Sequence, residues 1–170
     1  MPRMNGFGGA AAPGATDLRY DDIKIYPWAG TVVLDADPDY TYGTEKSTAL
    51  TVYQEVAYYD YDEETADIES IFVNLIWAQK ITGAGSGKVK WQIASGTNAA
   101  PGAYADITDE VSETLDVYQD KGRSGVIHNI TNCPTQTPFT IRCVVKNVDA
   151  TTAEAKVKSN SYIRVACRRT

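Results

Sequence analysis

Lys88-Val89-Lys90-Trp91-Gln92-Ile93-Ala94 alternates charged or polar side chains with Val89, Trp91 and Ile93. Successive side chains of an extended backbone point to opposite faces, so this period of two predicts a strand with one buried and one solvated face. The same period recurs on either side of it. Upstream, Ile71, Val73, Leu75 and Trp77 share a face while Asn74, Gln79 and Lys80 break any helical stripe. Downstream, Phe139, Ile141, Cys143 and Val145 alternate with Thr140, Arg142 and Lys146, and Ala153 to Val157 and Tyr162 to Cys167 keep the phase.

Between these runs lies turn chemistry. Gly83-Ala-Gly-Ser-Gly87 predicts a hairpin joining the strand that contains Trp77 to the one that contains Trp91. Ile23, Ile25 and Thr31 to Leu34 predict short strands, and Thr48 to Tyr58 a longer one with Leu50, Val52 and Val56 on its apolar phase. Tyr104 to Thr108 predicts a short strand. Residues 111–120 fit either a helix or a strand. Lys121 to Gly125 predicts a loop before a strand from Val126 to Ile130. The 170 residues suit one domain. Val, Ile, Thr and Tyr number 14, 12, 18 and 11 against 5 Leu, a choice that favours a pleated surface. At least eight strands with Gly, Pro and Asn turns predict an all-β fold, an antiparallel two-sheet β-sandwich with the jelly roll as the favoured version. Residues 1–19, rich in Gly, Ala and Pro, predict a flexible N-terminal arm, and 20–170 a single β-sandwich domain.

The net charge of −6 and pI near 4.7 argue against nucleic acid as a partner, because phosphate neutralisation needs a basic face. Residues 1–69 hold 14 acidic and 4 basic side chains and residues 70–170 hold 8 and 12. Either the two halves attract between copies, or their strands interleave and mix the signs. No apolar run approaches the roughly 20 residues that cross a bilayer as a helix, so no membrane partner is expected. The first residues lack the apolar stretch of a secretion signal.

Reactive constellations are sparse. Cys133, Cys143 and Cys167 make an odd count without a CxxC pair, which disfavours zinc; Cys143 and Cys167 sit on apolar strand phases as buried thiols. His128 is the only imidazole and no motif surrounds it. Gly83 to Val89 fails the phosphate-loop spacing. Asp35, Asp37 and Asp39 alternate as in calcium loops, yet the sixth position is Tyr40 and the twelfth Lys46. Asn129-Ile-Thr131 matches a glycosylation acceptor by spacing alone. No catalytic residue, cofactor site or metal site is assigned, and the expectation is a protein that is not an enzyme.

Tyr58, Tyr59 and Tyr61, with Tyr40, Tyr42 and Trp28, form an aromatic and acidic zone, the candidate interaction surface. Aromatic rings beside carboxylates stack on sugars and equally make protein interfaces, so a carbohydrate-binding module with glycans as partners is the alternative function.

Gly87-Lys-Val-Lys-Trp-Gln-Ile-Ala-Ser-Gly96, Tyr104-Ala-Asp-Ile-Thr108, Pro138-Phe-Thr-Ile-Arg-Cys-Val-Val-Lys-Asn147 and Ser161-Tyr-Ile-Arg-Val165 resemble strands of accessory β-sandwich proteins of tailed phages and related viruses. Those proteins decorate capsids or build tail and fibre appendages. The resemblance spans about residues 68–168. It implies a non-enzymatic virion structural protein, assembled in the host cytoplasm. Its partners are then copies of itself, in a homo-oligomer for which a trimer is one option, and other virion proteins.

Overall fold

The computed structural model describes residues 18–24, 33–34, 41–42, 46–61, 66–127, 138–149, 151–158 and 161–169. In chain order the strands are β1 (Leu18–Lys24), β2 (Val33–Leu34), β3 (Thr41–Tyr42), β4 (Lys46–Thr48), β5 (Gln54–Tyr61), β6 (Ala66–Thr82) and β7 (Gly87–Ser95). There follow β8 (Ala105–Asp106), β9 (Val111–Glu113), β10 (Gln119–Val126), β11 (Phe139–Asn147), β12 (Thr152–Val157) and β13 (Tyr162–Arg169). All pairings are antiparallel, and β2 and β3 form a small ribbon of their own.

β6, 17 residues long, is the centre of the first sheet. β10 pairs along one edge, from Gln119 opposite Gln79 to Val126 opposite Phe72. Along the other edge β12 and β13 run end to end, opposite residues 77–82 and 66–74. Beyond them lie β4, paired with β12, and β1, paired with β13. In the second sheet β11 sits between β5 and β7, and β8 and β9 share the far edge of β7. Counting each end-to-end pair as one position, the chain fills eight positions in the spatial orders 1-8-3-6 and 2-7-4-5. This is the double Greek key of a jelly roll, the version of the two-sheet sandwich favoured from the sequence.

The inner faces follow from the same alternation. Ile71, Val73, Leu75, Trp77 and Ile81 of β6 meet Val89, Trp91 and Ile93 of β7 and Phe139, Ile141, Cys143 and Val145 of β11, all buried. Trp77 and Trp91 touch edge to face across the two sheets, with centroids 6.4 Å apart at 61°. The Trp77 indole N–H donates to Gln79 Oε1 at 2.7 Å, and Gln79 Nε2 donates to the Val111 carbonyl at 3.0 Å. A buried amide thus satisfies the indole and ties β6 to β9 of the opposite sheet.

Breaks in the flanking strands leave central peptides without a ladder partner, and hydroxyls fill the gaps. Ser161 Oγ accepts from the Ile76 N–H and donates to the Ile76 carbonyl, both at 2.8 Å, where β12 stops and β13 begins. Thr108 Oγ1 accepts from the Trp91 N–H at 3.0 Å between β8 and β9.

Several local expectations change. Residues 83–86 do not close a hairpin: β6 and β7 lie in different sheets, and the turn, with Gly83 at φ +100°, carries the chain across the sandwich. A period of two reports which face is buried but not which strand is the neighbour. The strand predicted over 48–58 breaks at 49–53, where the chain also changes sheet; Leu50 and Val52 are 53% and 61% exposed. Residues 111–120 hold no helix, and Lys121 to Gly125 lie inside β10 rather than in a loop. Leu18 and Arg19 of the expected arm are paired with Arg168 and Cys167 in the first sheet. β1 pairs with β13 and β4 with β12 in that sheet, so the described strands of the acidic and basic halves interleave. Ser161→Ala and Thr108→Val each leave a buried N–H unpaired and are expected to lower unfolding free energy by about 1–3 kcal/mol, read from urea denaturation. An unchanged midpoint in both would refute the plugging role of the hydroxyls.

Candidate interaction surfaces

Strand parity sorts the tyrosines named from the sequence. Tyr59 and Tyr61 stand opposite Ile141 and Phe139 and share their core face; Tyr58 stands opposite Arg142 and faces outward. Tyr61 is 1% exposed and stacks on Phe139 at 5.0 Å, and Tyr59 packs half-buried on the core. Tyr58, at 38%, is exposed. The three therefore do not form one aromatic platform. Trp28 and Tyr40, with Asp35, Asp37, Asp39, His128, Asn129 and Cys133, lie outside the described residues, and Tyr42 is described only in its backbone pairing with Val33.

The outer face of the second sheet carries a cross-strand row, Tyr58, Arg142, Gln92 and Asp106, one residue from each of β5, β11, β7 and β8. Arg142 Nε and Nη2 donate to Gln92 Oε1 at 3.1 and 3.0 Å, and Gln92 Nε2 donates to Asp106 Oδ1 at 2.8 Å. The guanidinium lies 3.5 Å from the Tyr104 ring centroid. Tyr104 donates to Asn98 Oδ1 at 2.8 Å, and the Asn98 N–H donates to Asp60 Oδ1 at 2.7 Å. Loop 96–104 is thereby strapped over β11 and β5. Arg142 of β11, the Gln92 amide of β7 and the Tyr104 ring of the loop are engaged with one another.

Sequence reading missed the other tyrosines, because cation–ring contacts depend on which strands are neighbours. Lys90 and Lys146 ammonium groups sit 4.7 and 4.4 Å from the Tyr53 ring, and Lys80 and Lys156 sit 5.0 and 4.0 Å from the Tyr118 ring. The Tyr53 hydroxyl donates to Glu110 Oε1, which also accepts from Lys146 at 2.9 Å, while Lys88 donates to Oε2 at 2.7 Å. These donors, Lys88 foremost, hold the Glu110 carboxyl down to about 2. Burial, reinforced by Glu110, pushes the Tyr53 phenol well above its ordinary range.

At one end of the sandwich, loops 49–53, 83–86 and 114–118 and residues 148, 149 and 151 are held from within. Asn147 is the hub: its N–H donates to the Leu50 carbonyl at 2.9 Å, its Nδ2 to the carbonyls of Asp149 and of Thr151, the latter at 2.8 Å, and its Oδ1 accepts from Thr151 Oγ1 at 2.8 Å. Leu50 N–H donates to Thr48 Oγ1 at 3.0 Å. Leu115 is fixed the same way, its carbonyl accepting from Ile81 N–H at 2.9 Å and its N–H donating to Glu113 Oε1 at 3.0 Å. Both leucines present their side chains to water from backbones bonded on both sides, at 53% and 52% exposure. The pattern Leu-Thr-Val at 50–52 looked like a strand phase, which hid this role.

A cleft of about 690 Å³ opens between the β8–β9 edge and β10, lined among others by Trp77, Ile107, Asp109, Glu110 and Arg123. Cys143 is buried and unpaired, and burial pushes its thiol up, so it behaves as a small hydrophobe. Among the described residues no group of three or more His, Cys, Asp or Glu is placed to hold a metal ion.

Since the folded Glu110 carboxyl titrates below its unfolded value, its contribution to stability is present at neutral pH and is lost as pH falls from about 5 toward 2. Comparing urea midpoints of the wild type and Glu110→Gln, the wild type is expected to be the more stable at neutral pH, with the gap closing over that acid range. A gap independent of pH would overturn this role for the lysine and tyrosine donors.

No protein-family model and no curated protein matches the sequence. Among solved structures, the chain is similar to the Gt strain of infectious bursal disease virus, with a TM-score of 0.47 and 13% identity over 100% of this chain and 42% of that one. It is also similar to the VP2 subviral particle of that virus, with a TM-score of 0.45 and 13% identity over 100% of this chain and 42% of that one. The chain thus spans less than half the length of the chains it matches, and at these values no property of those particles passes to it.

Proposed function

We propose that this chain is a non-enzymatic structural component of a virion, a capsid-decoration or appendage protein that associates with copies of itself and docks on other virion proteins. The observation that carries the reading is the apolar loop end. Leu50, Val52, Leu115, Val117 and Val148 are 41–66% exposed at that one end. Apolar side chains left exposed on hydrogen-bonded loops along one end of the sandwich suit a partner that covers that end. The virion setting rests on the sequence resemblance over residues 68–168, and the fold by itself is shared by proteins of many functions.

The state of the carboxylates agrees with a passive role. Glu110, Glu113, Glu154, Asp106 and Asp120 each pair with a lysine. Residues 1–17, the part of the expected arm that precedes β1, serve in this reading as a docking arm. Two measurements test it. In lysates of cells producing the particle, the full chain is expected to co-sediment with assembled particles, and a chain lacking residues 1–17 is expected to remain in the supernatant. Mass photometry of the purified chain is expected to show a defined homo-oligomer. A chain absent from particles, or monomeric at every concentration, would overturn the proposal.

A further inference from the structure

Resting on the self-association reading above, we propose that the loop end docks on the same end of a second copy, face to face about a two-fold axis. The axis sets loop 49–53 of one copy against loop 114–118 of the other. The strand orders place the loops. Loop 49–53 joins positions 1 and 2, the connection that carries Val148 and Asp149 joins 7 and 8, loop 83–86 joins 3 and 4, and loop 114–118 joins 5 and 6. With orders 1-8-3-6 over 2-7-4-5, the four connections lie side by side in that sequence across the end. Exposed apolar side chains stand at both outer positions, Leu50 and Val52 on one side and Leu115 and Val117 on the other, with Val148 between.

The centre of the row is the Val148 N–H to Ser86 carbonyl bond at 3.0 Å. A two-fold axis there, across the row, exchanges the outer loops, so Leu50 and Val52 of each copy face Leu115 and Val117 of the other, the reciprocal contact of a closed dimer. The five side chains expose on the order of 400 Å², about half of the roughly 800 Å² each partner contributes to a stable interface. Charge selects the direction of the axis. Asp116, exposed between Leu115 and Val117, would meet its own copy if loop 114–118 faced itself, and like charges in contact oppose docking. In the arrangement proposed, Asp116 meets Ala49 to Tyr53 and Asp149 meets Gly83 to Ser86, segments without a charged residue.

The test uses the full chain and two variants, Leu50→Lys/Val52→Lys and Leu115→Glu/Val117→Glu. By light scattering the wild type is expected at twice 18.5 kDa, and each variant alone at the monomer mass at concentrations where the wild type is fully dimeric. Mixed in equal amounts, the two variants are expected to recover a dimer containing one of each. In that pair the lysine loop meets the glutamate loop and the other contact remains as in the wild type. The recovery also shows that both variants are folded. An oligomeric wild type with both variants unchanged, a wild-type trimer, or monomeric variants that do not recover on mixing would each overturn this surface while leaving self-association standing. A wild type that is monomeric throughout would overturn both.

Discussion

The structure depends on one constraint: the buried peptide groups of β6, in the middle of the first sheet, must find hydrogen-bond partners along its two edges. β10 meets this need on one edge from Phe72 to Gln79, and the Ile127 N–H to Ile71 carbonyl and Ile81 N–H to Leu115 carbonyl bonds extend it. On the other, two shorter strands divide the length between them, and the gap where they meet would leave the Ile76 N–H unpaired in a dry environment, at a cost of about 1–3 kcal/mol. The Ser161 hydroxyl, fully buried, both accepts from and donates to Ile76 and so keeps the ladder continuous. The opposite sheet meets the same constraint with Thr108 against Trp91. Once both ladders are continuous, Trp77 and Trp91 are held where they meet across the sandwich, and the apolar contribution of two large rings follows.

The same constraint shapes the edges. β10 is a free edge of the first sheet among the described residues, and its inward-facing positions include Lys121 and Arg123 opposite Trp77 and Leu75. Lys121 reaches Glu113 at 3.1 Å, and Arg123 lines the cleft beside β9. Charges pointing toward the core on an edge strand discourage the addition of another strand. That diverts association away from the sheet edge. On the outer faces, lysine stems cover the sheets while their ammonium groups rest on Tyr53 and Tyr118, so long side chains shield apolar surface without exposing more of it. The apolar side chains at the loop end stand out against this background, because their backbones are the ones Asn147 and Glu113 fix in place.

Much of this was legible from residues 71–93 and 139–167, because burial on one face of a strand imposes a period of two on the sequence. The alternation located β6, β7, β11, β12 and β13, and it placed Trp77, Trp91 and Cys143 in the core. It also held the information that Tyr59 and Tyr61 face away from Tyr58, which reading the three as one aromatic zone overlooked. Leu50 and Val52 misled for the converse reason: two apolar residues at strand spacing carry the same signature whether they face a core or water.

What the sequence by itself determined was the extended backbone, the identity of the inward faces and the two-sheet architecture, since these follow from local side-chain chemistry repeated along the chain. Only the tertiary structure decided that Gly83 to Ser86 crosses between sheets, that Ser161 and Thr108 complete ladders, and that four distant loops assemble one apolar end. Those outcomes depend on which strands become neighbours. That choice is made by packing between residues far apart in the chain and leaves no periodic trace within any single segment.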